Sequence, residues 1–435
     1  MPLIRPFHGI HYAKRPDLDL SKLIAPPYDV LDERGKADLQ ARHPNNIVTV
    51  DLPHLPPKTV GPDEAYDRAH HTLQSWLRAG ILKRDTRPAI YPYTQSFEHV
   101  GRTSHRRGFV ALVRLSPFGQ GQVVPHEKTY DAPIEDRLKL MRATRMQTSA
   151  VFVVYSDPRH EITDLLYYRL GRPELSGTLD AVKHDLWSVI DAEVENRVID
   201  MMGHKPIYIA DGHHRYTTAL QYQKEAEERN GGPLPAHHPA NFCMFVLVGM
   251  QDDGLLILPT HRLIGGLAGF NIEAFTAAVG DNFEVTDTAL TGEHVDEFIR
   301  NVLPVQPLHT FGLFDGRTRR LYQLKLKNLD VLGDLEPDHS EAWRRLDAAI
   351  LQRYLLDEVI GPRFAGGKEP VRGYTADPDA IAAQTDGERY QIALLLKSTP
   401  IGTLEQLGRH NEVMPQKSTY FYPKLATGMM IHALE

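Results

Sequence analysis

The chain has 435 residues, 42% of them hydrophobic and 24% charged, a composition that excludes extended disorder and allows two or three globular domains. Lysine and arginine total 49 against 56 aspartate and glutamate, so the formal charge of -7 has the wrong sign for a protein whose main task is neutralising nucleic-acid phosphates. No stretch reaches the roughly 18 uninterrupted apolar residues of a membrane span, and "MPLIRPFHGIHYAKRP" lacks the apolar run of a signal peptide, so no membrane partner and a cytoplasmic location are expected.

In chain order, "LIAPPYDVLDERGKADLQARHP" opens with a Pro26-Pro27 turn and continues as a short helix that Asp32 can cap. "PDEAYDRAHHTLQSWLRAG" spaces Tyr66, Ala69, Leu73, Trp76 and Leu77 for one face of a helix, which Gly80 ends. "AIYPYTQSFE", "GFVALVRL" and "SAVFVVYS" are rich in aromatic and β-branched residues over strand lengths. "DAEVENRVIDMMGHK" predicts a helix stopping near Gly203, followed by the strand "PIYIA" and a helix running to about Asn230. "CMFVLVGM", holding the lone Cys243, and "GLLILPTHRLI" predict further strands. The single cysteine excludes an intrachain disulfide and reads as a small buried hydrophobe. From about 266 the pattern changes to helices at "NIEAFTAAVG" and "EHVDEFIRNVL", strands at "HTFGLFDG" and "RRLYQLKLK", and one long helix at "EAWRRLDAAILQRYLLDEVIG". Helices and strands mixed in this way predict an α+β fold with mixed sheets.

The segment "IYIADGHHRYTTAL", residues 207–220, places an acid, a glycine, two histidines and an arginine between a strand and a helix. Glycine lets a ligand approach the backbone, and the first helical amides lack internal partners and attract anions. Gly212, His213, His214 and Arg215 therefore suit phosphate, with Arg215 able to fork onto its oxygens. Asp211 is read either as a cap for a helix amide or as a ligand for Mg²⁺ bridging phosphates. No protein-built metal site is predicted, because adjacent histidines diverge on a helix and no His-x-x-x-His or His-Glu-x-x-His spacing occurs.

Three other stretches carry candidate chemistry. "VVPHEKTYDAP" ends a strand and presents His126, Glu127, Lys128 and Thr129; a carboxylate there can serve as a general base, though a solvated loop acid has the same appearance. "HNEVMPQKSTYFYPKLATGMMIH" presents Lys417, Ser418 and Thr419, a point charge and two hydroxyls suited to phosphate or carboxylate, or else a polar turn before the strand "YFY". "LPTHRLI" holds Thr260, His261 and Arg262 and is equally compatible with a sheet edge. "GPRFAGGKEP" is not a Walker loop and "GQGQVV" is not a dinucleotide fingerprint.

A strand followed by Asp211-Gly212-His213-His214-Arg215 resembles the nucleotide-binding turn of the ParB/sulfiredoxin-like superfamily, whose members hold nucleotide phosphates there. Within it, Pro125-His126-Glu127 and Pro415-Gln416-Lys417-Ser418-Thr419 resemble the free serine kinase type. Over its length, with "APPYDV", "PHEKT", "ADGHHRY", "LPTHR" and "MPQKSTYFYPKLATG", the chain resembles a widespread family whose domain has no assigned function. The resemblance implies a ParB/sulfiredoxin-like core over 101–265, flanked by an N-terminal α/β region at 1–100 and a C-terminal α/β region at 266–435. It also implies a kinase using ATP or ADP with Mg²⁺, acting on a small hydroxylated metabolite such as free L-serine. Glu127 would be catalytic, Asp211 to Arg215 would bind nucleotide, and His126, Lys417, Ser418 and Thr419 would contact the substrate. A nucleotide-binding sensor without turnover is the alternative.

Overall fold

The computed structural model describes residues 4–127 and 129–435, and Lys128 lies outside the described residues. The chain is α+β with mixed sheets and divides into two compact units, 1–256 with 423–435, and 257–422.

The first unit is built on a nine-stranded sheet. Its strands are β1 (Ile4–Arg5), β2 (Tyr91–His99), β3 (Arg102–Arg114), β4 (Val123–Val124), β5 (Val151–Tyr155), β6 (Leu175–Leu179), β7 (Val182–Leu186), β8 (Ile207–Asp211) and β9 (Phe242–Gly249). The path runs β4-β8-β5-β9-β3-β2-β7-β6, with β1 paired to the end of β3. Every residue of β9 is buried, as expected of a central strand covered on both faces. Its Cys243 lies in the same apolar cluster as Val153, Ile209, Tyr216 and Phe245, and burial pushes the thiol's pKa up, so it packs as a small hydrophobe. Residues 100 and 101, where the N-terminal region was expected to end, form the turn of the β2–β3 hairpin.

The helices follow their sequence signals. Asp32 caps α1 (Glu33–Arg42) by accepting from the Gly35 amide, and α2 (Asp63–Arg78) buries Tyr66, Ala69, Leu73 and Trp76. Two further helices, α3 (Asp131–Thr144) and α4 (Ala192–Met202), precede α5 (His213–Asn230), which ends at Gly231 in the left-handed conformation. No helix among the described residues is long and apolar enough to cross a membrane.

The second unit holds a six-stranded sheet in which every pairing is antiparallel. The strand His261–Gly265 pairs on both sides, so Thr260, His261 and Arg262 do not mark an edge; all three are buried. "GLLILPTHRLI" breaks into Leu256–Leu258 and His261–Gly265 because Pro259 has no amide to give a ladder. The expected long helix from 341 is also interrupted. Glu341–Arg344 stops, Leu346 takes an extended conformation (φ -71°, ψ 129°), and the helix resumes at Asp347.

Candidate functional site

Parallel pairing makes the site. Val123 and Val124 of β4 lie beside Ile207 and Tyr208 of β8 in the same direction, so both strands end at one edge of the sheet. Chain continuing from β4 enters the loop of Pro125, His126 and Glu127, and chain leaving β8 enters Asp211 and Gly212. The two loops meet there. The His126 amide donates to Nε2 of His213 at 3.2 Å, and the two rings stand edge to face with centroids 4.6 Å apart.

Gly212 is the residue before α5, with φ 95° and ψ 28°, and offers no side-chain cap. A Cβ here would lie 2.9 Å from Nε of Arg215, so glycine serves both the left-handed backbone and the close approach. The first intrahelical bond joins the Tyr216 amide to the Gly212 carbonyl. The amides of His213, His214 and Arg215 therefore precede the helical ladder and point out of the helix start.

Asp211 does not cap the helix. Its Oδ2 accepts from Nη2 of Arg215 at 2.6 Å, and its Oδ1 accepts from Nζ of Lys424 at 2.5 Å. Burial alone would raise this carboxyl, but Lys424 and Arg215 outweigh it and hold the group well below the usual carboxylate range. Arg215 also donates from Nη1 to the Ala150 carbonyl, just before β5, and is 9% exposed. It thus ties the β8 exit to the β5 entry, and its remaining N–H groups are what a phosphate could take.

Both histidine rings next to the acid are uncharged. Burial holds His213 well below its ordinary pKa, with His126 adding to the effect. Since His213 Nε2 accepts, its proton sits on Nδ1. His126 is likewise lowered by burial; its Nδ1 donates to the Ile209 carbonyl, leaving Nε2 facing Oε1 of Glu127 at 3.9 Å. The Glu127 side chain is 24% exposed. His214 takes a different part. Its Nε2 accepts from the Tyr130 amide at 3.2 Å, where α3 begins, and its ring stacks on Tyr130. The Tyr216 hydroxyl donates to the Ser116 carbonyl at 2.8 Å and accepts from the Ser116 amide at 3.1 Å, fixing the loop that leads into β4.

The structure therefore brings His126 and Glu127 to Asp211, Gly212, His213, His214 and Arg215. Lys417, Ser418 and Thr419 belong to the second unit. There Lys417 has φ 60°, the Ser418 hydroxyl donates to the Pro415 carbonyl, and Nη2 of Arg262 donates to the Gln416 carbonyl at 3.4 Å. The sequence motifs around 260 and 416 thus meet within that unit. Sequence reasoning missed Lys424; its only signal was position, one residue after Pro423 in the motif that follows the aromatic strand.

Each oxygen of Asp211 faces a cation, so the carboxylate is an ion-pair partner of Arg215 and Lys424. Among the described residues, no three His, Cys, Asp or Glu side chains converge as metal ligands would. Arg215, Lys424 and Asp211 together carry one net positive charge, beside two imidazoles whose charged form burial disfavours and the amides that precede the helical ladder. That is a site for an anion next to a carboxylate that can accept a proton.

A family model described as "Protein of unknown function (DUF1015)" matches residues 4–349. Comparison with curated proteins gave no match. Among solved structures, free serine kinase in complex with AMP aligns over 71% of this chain and 89% of its own, at 9% identity and a TM-score of 0.32. A conserved hypothetical protein from Pyrococcus furiosus aligns over 71% and 92%, at 12% identity and 0.29. SbnI from Staphylococcus aureus, with a C-terminal truncation, aligns over 74% and 87%, at 9% identity and 0.36. Scores this low carry no argument about activity, which rests on the site.

Proposed function

The chain belongs to the family described as protein of unknown function (DUF1015), and from that premise, which assigns kinship and no chemistry, we propose that it is a nucleotide-dependent kinase of a small hydroxylated metabolite. ATP or ADP is the donor, and a free serine-like amino acid is the first acceptor to test. One observation carries the reading: the His126 amide bonds to the His213 ring, which puts the Glu127 loop against the first turn of α5.

In this reading the amides of His213 and His214, with the open N–H groups of Arg215, bind the nucleotide phosphates. The Glu127 carboxylate accepts the proton of the acceptor hydroxyl as that oxygen bonds to the terminal phosphorus and the bond to the leaving nucleotide breaks. His126 is held by the Ile209 carbonyl, and burial lowers its affinity for a proton, which leaves Glu127 as the base. No step is assigned to a protein-held metal. Lys417, Ser418 and Thr419 are carried as acceptor ligands on the resemblance of their motif alone.

The test is purified protein with ATP or ADP, added Mg²⁺ and a panel of hydroxy amino acids, read by ³¹P NMR and mass spectrometry. A phosphorylated small molecule is expected, and Glu127→Gln should lower turnover by roughly 10²- to 10⁴-fold while nucleotide affinity stays within about threefold, because the amide keeps the shape but cannot take the proton. Nucleotide binding without product from any acceptor would favour the sensor; no binding would remove both.

A further inference from the structure

Lys424 enters the site from the far end of the chain, 213 residues after the acid it touches. Residues 423–435 return to the first unit, and two buried side chains fix where that return passes. Arg106, 1% exposed, donates from Nη2 to the Pro423 carbonyl at 2.6 Å. Gln95, also 1% exposed, donates from Nε2 to the Lys424 carbonyl at 2.9 Å, and its Oε1 accepts from the same guanidinium. Burying an arginine is costly unless its donors are used, and here they specify the backbone path of 423 and 424. The lysine stem starts from a fixed point.

Arg215 alone would neutralise Asp211. The second cation leaves the trio with an excess positive charge at side chains that are only 19% and 21% exposed for Lys424 and Asp211. A net positive charge on sheltered side chains favours the approach of an anion. The two cations also differ in freedom. Arg215 is held through both terminal nitrogens by Asp211 and Ala150, whereas a lysine ammonium is a compact charge on a flexible stem that can change partner while its backbone stays put.

We infer, resting on the nucleotide reading above, that Lys424 is a binding residue for the outer phosphates: its ammonium moves from Oδ1 of Asp211 onto the terminal phosphate of a nucleoside di- or triphosphate. The inner phosphate stays with the helix amides and Arg215. Lys424 thereby distinguishes nucleotides by phosphate number.

Calorimetry on the full chain, in metal-free buffer, with AMP, ADP and ATP as titrants tests this. Lys424→Met should lose at least tenfold in affinity for ADP and ATP and less than threefold for AMP, and Lys424→Arg should recover most of the loss. A loss equal across the three nucleotides would make Lys424 a structural tie, and no loss would remove it from the site; either overturns the inference and leaves the nucleotide reading standing. Asp211→Asn examines the same transfer from the other side and does not depend on the methionine variant folding. With the competing carboxylate gone, ADP should bind several-fold tighter, and weaker binding overturns the transfer. Wild-type protein that binds none of the three removes the nucleotide reading itself, and this inference with it.

Discussion

Arg215 shows how a residue chosen for its chemistry can turn out to carry structure as well. From sequence it is a phosphate fork on a helix start, and its removal should leave the fold alone. Its guanidinium instead joins Asp211 to the Ala150 carbonyl. Arg215→Ala strands a half-buried carbonyl and takes one cation from Asp211, so we expect it to lower stability by about 1–3 kcal/mol in urea unfolding as well as to weaken nucleotide binding. Unchanged stability would return Arg215 to a purely ligand-facing role. Gly212 makes a cleaner probe of the backbone. Gly212→Ala puts a Cβ at φ 95° and against the Arg215 guanidinium, and should cost about 1–3 kcal/mol through strain. The acid, glycine, histidines and arginine were legible because they are contiguous and their types name their chemistry. Lys424 was not, since nothing local to "YPKLATG" says that its ammonium meets an aspartate at the other side of the chain.

At the scale of elements, the site depends on two short parallel residues of β4. A strand that short cannot hold its loop unaided. Tyr216 supplies the hold: its buried hydroxyl bonds both backbone groups of Ser116 at the head of the 115–122 segment. Tyr216→Phe keeps the ring in the core and removes both bonds, and we expect a loss of about 1–2 kcal/mol with faster amide exchange confined to 115–127. Uniform exchange would mean the loop is held elsewhere. Sequence reading found β8 and α5 because the apolar run and the Gly231 stop are local signals. It also read a strand ending at Val123-Val124 before the Glu127 loop, but not that this strand lies parallel to β8, because that pairing joins residues more than 80 positions apart. The broken helix at Leu346 escaped for a related reason: its residues favour helix, and the tertiary setting overrode them.

Across the whole molecule, buried histidines recur, and they give the protein a pH dependence separate from its chemistry. Burial lowers the pKa of His126 and His213, of His184 and His261 to about 3, and of His432 to about 4, while the Tyr93 hydroxyl bonds Nδ1 of His184 at 2.6 Å. Each is neutral in the folded chain and takes a proton once unfolded below about pH 6.5. The unfolded state therefore binds more protons as pH falls, so stability is full above about 6.5 and declines below it. His11, raised through Asp85 against the opposing effect of burial, runs the other way but is a single group. Asp211, held low, adds its loss only as pH falls through the carboxylate range. Urea unfolding between pH 7.5 and 5 should therefore show stability falling by more than about 1.4 kcal/mol per pH unit, the slope of one proton. His184→Gln should remove close to one proton from that slope. A flat profile would mean that these histidines are charged in the folded state. Nucleotide affinity measured over pH 6.5–8 should stay nearly constant on the protein side, because His126 and His213 are already neutral there and the site's charge resides on Lys424, Arg215 and Asp211.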